Sequence, residues 1–184
     1  MKQFISSDAL EAKLAHIFAS PKTSGELSLI VARPATNERK ILAEADLCVE
    51  QGLKGDNWKA RGYKKMPNNE AHPDMQINIM ASRVIEAIAG DKTQWPMAGD
   101  QLYIDMDLSE DNLPPGSKLS IGDAVLEITP EPHLGYRKFQ ERYGKDAVAF
   151  VNSSLGKQHH FRGLNAKVVQ AGHIKAGDAV VKLG

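Results

Sequence analysis

Short stretches of alternating hydrophobic and polar residues follow one another along most of the chain. In residues 118–130, "KLSIGDAVLEITP", Ala124, Leu126 and Ile128 fall on one side of a predicted strand. Many short strands separated by Gly-containing turns favour a barrel or a sandwich, so we predict a mostly-β fold with peripheral helices. Other strand-like stretches occupy residues 26–33, 39–50, 75–80 and 98–108, and residues 165–183 are predicted to form two strands about a turn.

Helical periodicity is confined to a few segments. Residues 6–18 carry Leu10, Leu14 and Ile17 at helical spacing, and Ser6 or Ser7 is placed to cap them. We interpret residues 1–25 as an N-terminal helical extension and residues 26–184 as the β domain. Further helices are predicted over 81–90, 135–144 and 146–152.

Composition and charge narrow the class of protein. The chain has 184 residues, with 23 Lys plus Arg balanced by 23 Asp plus Glu. A net charge of zero gives no support for nucleic acid or an anionic membrane as a partner, although a local basic pocket is compatible with it. The first 18 residues lack the continuous apolar core of a signal peptide, and Cys48 is the single cysteine. We therefore expect a cytoplasmic location.

The common catalytic and metal-binding motifs are absent from the sequence. His159 and His160 are adjacent and would point to opposite faces of a strand, so no metal ligand set is predicted. Cys48 lies in "ADLCVEQG" without a nearby cation. A reactive thiol needs a cationic, partly exposed environment, so Cys48 is interpreted as a small structural hydrophobe rather than a nucleophile.

Two basic segments have two interpretations each. Residues 52–73 form a long polar stretch that includes Arg61, and "HHFRGLNAK" places Arg162 and Asn165 around Gly163. Charge-rich segments are commonly solvated surface. Alternatively, Arg and Lys donate charge-assisted hydrogen bonds to phosphate or carboxylate groups, which predicts an anion site.

Residues 131–144, "EPHLGYRKFQERYG", also have two interpretations. Tyr136, Phe139 and Tyr143 recur at i, i+3 and i+7, which predicts one core-facing side of a helix. The functional alternative is that His133 and the start of this helix frame a pocket for an anion.

The ordered set of segments resembles the MOSC domain, which occurs at the C-terminal end of molybdenum cofactor sulfurases and as small stand-alone proteins. The segments are "GLKGDNW", "HPDMQINIMASRVIEAIAG", "DNLPPGSKLSIGDAVLEITPEPH" and "FRGLNAKVVQAGHIKAGDAVVKL". The resemblance runs from about Glu26 to the end. It implies a β-barrel like that of the pyruvate kinase barrel domain, with a cleft for molybdenum cofactor (molybdopterin) or a related anionic ligand. It implies no pyridoxal phosphate domain.

The resemblance breaks at one position. The family's cysteine falls in the stretch that here reads "HLGYRKF", and Tyr136 best matches it. A phenol cannot form a persulfide and is a poor nucleophile at neutral pH, so sulfur-carrier chemistry is not expected. His133 and Tyr136 are the candidate catalytic residues. The resemblance and the basic segments together suggest as ligand-binding residues Arg61, Asn112, Lys138, Arg162 and Asn165.

Three functions remain open on the sequence. The first is a MOSC-type protein that binds molybdenum cofactor or a related anion. The second is a molybdenum-dependent reductase of N-hydroxylated compounds, in which Tyr136 or His133 donates a proton and a redox or molybdoenzyme partner takes part. The third is a non-catalytic interaction protein built on the same barrel.

Overall fold

The computed structural model describes all 184 residues. Strands and short helices, joined by loops, surround one hydrophobic core. The strands are β1 Ser24–Ala32, β2 Lys40–Leu42, β3 Glu44–Cys48, β4 Gly52–Leu53, β5 Ile77–Ala81, β6 Leu102–Asp105, β7 Lys118–Ile121, β8 Ala124–Ile128, β9 Leu164–Gln170, β10 Gly172–Lys175 and β11 Ala179–Lys182. The helices are α1 Ser7–Glu11, α2 Leu14–Phe18, α3 Trp58–Arg61, α4 Ser82–Ala89, α5 Arg137–Tyr143, α6 Lys145–Asn152 and α7 Ser154–Gln158.

Seven strands form a closed barrel in the order β1, β6, β5, β9, β8, β7 and β11, and β11 pairs with β1 to close it. Neighbouring strands are antiparallel except β5 and β6, which are parallel. A parallel pair needs a crossover connection, and α4 supplies it. The prediction of a mostly-β barrel with peripheral helices is confirmed.

A second sheet of three strands lies beside the barrel, in the order β10, β3 and β4. The sequence pattern predicted two strands over residues 165–183, whereas the structure has three. At Gly172 the chain leaves the barrel and pairs with β3 instead. A Cβ atom at this position would collide with the backbone of Asp123, so only glycine permits the close approach.

Burial follows the predicted alternation where strands line the core. Ala124, Leu126 and Ile128 are all buried, as predicted. The helix predicted over residues 6–18 is instead two short helices, α1 and α2, and their Leu10 and Ile17 belong to the same core as the barrel. No helix of the structure has the length and apolar character that a membrane crossing requires.

Candidate functional site

One cleft of the molecule is lined by many positively charged side chains. It has a volume of about 510 Å³ and lies where the end of β1, α3, the start of β5, the residues before β6, α5 and the residues before β9 approach one another. No carboxylate lines it. We call it the cationic cleft, after its seven cationic side chains Arg33, Arg39, Arg61, Arg137, Lys138, Arg142 and Arg162.

A buried ion pair forms part of its wall. Both carboxylate oxygens of Asp56 accept from the Arg33 guanidinium, at 2.9 Å from Nε and 2.8 Å from Nη2. The Asp56 side chain is fully buried. Arg33 Nη1 donates to Asn78 Oδ1 and to the Gly99 carbonyl. This bidentate geometry satisfies both ions, so Arg33 contributes a fixed polar wall rather than a free charge.

A second buried cluster centres on Asp100, whose side chain is inaccessible to solvent. Arg162 Nη1 donates to its Oδ2 at 2.7 Å, and His133 Nε2 lies 2.7 Å from its Oδ1. The Phe139 ring packs against the Arg162 guanidinium at 4.9 Å. Burial, the largest single effect, raises the pKa of Asp100, but Arg162 and His133 outweigh it and lower the pKa below its ordinary value.

His133 is held neutral by its surroundings. Burial is the main cause that lowers its pKa below the ordinary value of 6.5, and the Arg162 cation lowers it further, against the opposing effect of Asp100. In a neutral imidazole beside a carboxylate, Nε2 carries the proton, and the Nε2–H group donates a hydrogen bond to Asp100. Nδ1 is then the ring nitrogen that can accept a hydrogen bond.

A chain of amide hydrogen bonds anchors the segment that carries His133. Asn165 Nδ2 donates to the carbonyl groups of Glu131 and Pro132. Asn165 Oδ1 in turn accepts from Asn78 Nδ2 at 2.6 Å. Asn78 is the residue that accepts from Arg33, so the two sides of the cleft are joined through buried side chains. Such a network fixes the position of His133 relative to the cations.

Four of the cleft cations have no carboxylate partner: Arg39, Arg61, Lys138 and Arg142. Burial is the main cause that lowers the pKa of Arg39, and the nearby Arg142 and Arg33 cations lower it further. Like charges held together in this way favour an anion between them. Arg39 and Arg142 are further fixed by hydrogen bonds to the carbonyl groups of Pro96 and Met97.

Tyr136 lies at the rim of the cleft and is 70% exposed. The prediction that it packs on the core with Phe139 and Tyr143 is wrong, although those two residues are buried. The reason is that α5 begins at Arg137. Tyr136 is its N-cap residue in an extended conformation, with φ −126° and ψ −165°, so it does not share the helical face.

Most of the residues proposed from the sequence lie together. Arg61, His133, Tyr136, Lys138 and Arg162 all line the cationic cleft. Asn165 is fully buried behind the cleft, where it orients Asn78 and the segment before His133.

Asn112 is the exception. It is buried away from the cleft, where its Nδ2 donates to the Lys22 and Asp107 carbonyl groups. The structure therefore gives Asn112 the role of fastening the loop before β7, not a place in the cleft.

The residues of the site that were not predicted from the sequence include Arg33, Arg39, Asp100, Arg137 and Arg142. Arg33 and Asp100 had a weak signal, since each is a charged residue next to a hydrophobic strand. Arg39 and Arg142 had none, because they come together only through the packing of α5 against the residues before β6.

Cys48 lies outside the cleft, at the end of β3 in the three-stranded sheet. Its thiol donates to Glu50 Oε2 at 2.9 Å. A carboxylate partner is the opposite of the cationic environment in which reactive thiols are found, so this position does not suit a nucleophile. The His, Cys, Asp and Glu side chains nowhere form a group of three that could hold a metal ion.

Solved structures with this fold support the architecture. The chain is similar to the YuaD protein from Bacillus subtilis, with 20% sequence identity, a TM-score of 0.63, and coverage of 85% of this chain and 94% of that one. It is also similar to YiiM from Geobacillus stearothermophilus, with 15% identity, a TM-score of 0.56, and coverage of 87% and 75%. It is similar as well to YiiM from Escherichia coli, with 17% identity, a TM-score of 0.54, and coverage of 86% of this chain and 70% of that one. No family model and no curated protein matches the sequence.

Proposed function

We propose that this chain is a MOSC-type domain that binds molybdenum cofactor, or a related phosphate-bearing pterin, in the cationic cleft. The fold supports the family, because YuaD and YiiM are MOSC-domain-type proteins. The order of sequence segments that resembles the MOSC domain supports it independently. At these identities the likeness supports the fold alone, so the ligand has to be argued from the cleft.

The observation that carries the proposal is the group of four cations without carboxylate partners in one cleft. Holding like charges near each other costs free energy, and a bound anion offsets that cost. Arg guanidinium groups fit phosphate oxygens in bidentate geometry, and Lys adds a point charge. A phosphate monoester, with up to two negative charges and three terminal oxygens, therefore suits this cleft better than a single carboxylate does.

Molybdenum cofactor fits part of this lining. Its phosphate suits Arg39, Arg61 and Arg142, and Lys138 stands at the rim. When bound, the cofactor supplies molybdenum redox chemistry, while the protein contributes binding and orientation. The lining contains no thiol, since Cys48 lies in the other sheet. Tyr136 cannot carry sulfur, so we propose cofactor binding without sulfur transfer.

Titration calorimetry with isolated cofactor tests the proposal. We expect saturable binding by the wild type, weakened about tenfold in Arg61→Gln/Lys138→Gln through loss of two charge-assisted contacts. Neither side chain makes a hydrogen bond within the protein, so the fold should persist. Lys54→Gln/Lys175→Gln removes two exposed lysines elsewhere and is the matched control. No detectable binding at about 50 µM, where a Kd on the order of 1 µM gives saturation, would refute the proposal.

A reductase of N-hydroxylated compounds is the second candidate. His133 supports it, because a buried neutral imidazole fixed by Asp100 can exchange a proton with a ligand at neutral pH. Protein loaded with molybdenum cofactor should then reduce hydroxylaminopurine when an electron donor is supplied. His133→Asn should lower kcat more than it changes cofactor affinity. Loaded protein without turnover would exclude this activity and leave cofactor binding standing.

A non-catalytic interaction protein is less well supported. That function predicts a cleft plugged by Tyr136 and without converging basic side chains. Instead Tyr136 is exposed at the rim, and the cations converge on open space.

A further inference from the structure

Two buried side-chain polar atoms of the protein lack a hydrogen-bond partner, and both belong to residues that line the cationic cleft. They are the oxygen Oδ1 of Asn57 and the Nε–H group of Arg162. Folded proteins pair nearly all of their buried polar groups, because an unpaired group costs free energy. Arg162 also lines a neighbouring pocket, which Asn57 does not, so Asn57 is the more informative of the two.

The carboxamide of Asn57 has no partner within the fold. Asn57 is the N-cap residue of α3, a position where an Asn side chain commonly accepts from a backbone N–H group of the first turn. Here the side chain makes no such bond, and Asp56 Oδ2 accepts from the Trp58 N–H group instead. The backbone of Asn57 bonds to Arg33 and Arg61 and holds the residue in place. A leucine of similar shape would fill this position without an unpaired acceptor.

The same side chain is free to turn. No hydrogen bond within the protein fixes the orientation of the Asn57 carboxamide. Rotation about its side-chain bonds between staggered rotamers therefore breaks no existing interaction. Asn57 is also partly exposed, so its oxygen can turn from the buried position toward a ligand in the cleft.

A carboxamide recognises one kind of ligand edge. It presents an acceptor beside a donor, and its complement is an N–H group beside a carbonyl oxygen or a ring nitrogen, as on a lactam or an aminopyrimidine ring. Phosphate oxygens only accept, so a bare phosphate leaves Asn57 Oδ1 without a partner. The four cations without carboxylate partners explain an anion, but they do not explain Asn57. A ligand with a second part, which carries an N–H donor, explains both.

The lining has separate places for these two parts. Arg39 and Arg142 approach each other beside Gly99, where an added Cβ atom would lie 3.4 Å from Arg39 Nη2 and 3.8 Å from Arg142 Nη1. The two guanidinium groups suit a phosphate between them. Asn57 lies on a different wall of the cleft, at the start of α3, with Arg61 one turn further along the same helix. A phosphate beside Gly99 thus leaves the space next to α3 for a ring.

We propose that Asn57 is a specificity-determining residue, which selects an organic phosphate whose ring edge carries an N–H donor beside an acceptor. The phosphate binds at Arg39 and Arg142, and the ring edge binds the Asn57 carboxamide. This inference rests on the proposed function, because it takes the cationic cleft as the ligand site. It adds the residue that distinguishes a ring-bearing phosphate from a bare one.

Titration calorimetry with guanosine monophosphate and purine riboside monophosphate tests the proposal. Both ligands have a phosphate, a ribose and a purine ring, but only the guanine ring carries N–H donors. The wild type should bind guanosine monophosphate about fivefold more tightly, the contribution of one hydrogen bond. Asn57→Leu should abolish this preference and leave the affinity for pyrophosphate unchanged. Gln51→Leu, which removes an exposed carboxamide between β3 and β4, should alter neither quantity.

The stability of Asn57→Leu is a second readout. Because the substitution removes an unpaired buried acceptor, its free energy of unfolding in urea should equal or exceed that of the wild type. A large loss of stability would make Asn57 a structural residue and overturn the proposal. An equal preference for guanosine monophosphate in the wild type and in Asn57→Leu would also overturn it.

Pyrophosphate separates failure of this inference from failure of the proposed function. If pyrophosphate binds but the wild type does not distinguish the two nucleotides, the role of Asn57 is refuted and the anion site stands. If neither pyrophosphate nor either nucleotide binds at about 1 mM, well above the Kd expected for several charge-assisted contacts, the cleft is not an anion site and both fail.

Discussion

Arg162, in the lining of the cationic cleft, donates across 2.7 Å to Asp100, whose side chain is inaccessible to solvent. The pair holds His133 on one side and the Phe139 ring on the other. A buried ion whose partner is removed is costly, because neither solvent nor another charge compensates it. Asp100 is therefore the residue on which the geometry of the candidate site depends.

Replacement of Asp100 should be strongly destabilising. Asp100→Asn leaves the Arg162 cation buried without its counter-ion, and we expect a loss of about 3–5 kcal/mol in the free energy of unfolding. Urea denaturation measures it. Glu141→Gln breaks the exposed Arg137–Glu141 pair and should cost about 0–1 kcal/mol. Equal effects of the two substitutions would contradict the role assigned to Asp100.

His133 should make stability depend on pH in one direction. Its pKa in the folded protein is below 6.5, so between that pKa and 6.5 the unfolded chain binds more protons. Stability is thus fully present above about pH 6.5 and falls as the pH is lowered toward the folded pKa. Urea midpoints at pH 7.5 and 5.5 measure the slope, and His133→Asn should reduce it.

His173 provides the opposite control for that experiment. It lies on β10, where a hydrogen bond from its ring to Asp46 is the main cause that raises its pKa. A raised pKa stabilises the fold at low pH, and that contribution disappears as the pH rises through the folded pKa. His173→Asn should therefore steepen the loss of stability on acidification. If both His variants changed the slope in the same direction, the assignment to His133 would be wrong.

Gly163 should tolerate no side chain. Its φ is +124°, and a Cβ atom there would collide with the Ile79 carbonyl oxygen and lie 3.1 Å from His133 Cδ2. We expect Gly163→Ala to cost at least about 2 kcal/mol in the free energy of unfolding. Gly177 has a φ of +94° but open space around it, so Gly177→Ala should cost about 1 kcal/mol. Thermal or urea unfolding of both variants makes the comparison.

A cysteine at position 136 should be reactive. Tyr136→Cys places an exposed thiol at the rim of a cleft lined by cations and no carboxylate, which lowers a thiol pKa. Cys48, whose thiol is hydrogen-bonded to Glu50, serves as the internal control that is expected to react slowly. The measurement is the rate of alkylation by iodoacetamide at each thiol, read by mass spectrometry. A slower reaction at position 136 would contradict the electrostatic character assigned to the cleft.

The same variant tests the alignment with the MOSC domain. If Tyr136 stands where that family has its cysteine, the thiolate of Tyr136→Cys should attack the outer sulfur of a supplied persulfide donor, take that sulfur as a persulfide and release the donor's thiolate. Mass spectrometry detects the added sulfur atom. The wild type should show none at this position, whatever the state of Cys48.

The sequence predicted the strands because local signals were sufficient there, whereas the choice of a barrel over a sandwich came from the resemblance to the MOSC domain. Alternation along β7 and β8 and the glycine turns between strands each depend only on neighbouring residues. The packing of Tyr136 could not be derived in this way. Its spacing from Phe139 matched a helical face, but one residue decides whether the helix includes it, and periodicity does not define a helix end that closely.

The site was predicted only in part for a different reason. Arg61 and Arg162 lie in conspicuous basic segments, whereas Arg39 and Arg142 stand 103 positions apart along the chain and approach each other near Gly99. Convergence of this kind is a property of tertiary packing. Asp100 was missed because nothing in "MAGDQ" distinguishes a carboxylate buried against two partners from one in an exposed turn.

The pairing of β1 with β11 has a consequence for how the protein is made. Ser24 of the first barrel strand pairs with Val181 of the last, so the barrel has two open edges until nearly the whole chain is present. Contacts between such distant residues form slowly, and open strand edges are prone to aggregate. During synthesis β1 therefore lacks its partner β11 until the end of the chain has been made. Folding of the cationic cleft, which needs Arg33 and Arg162 together, belongs to the last stage.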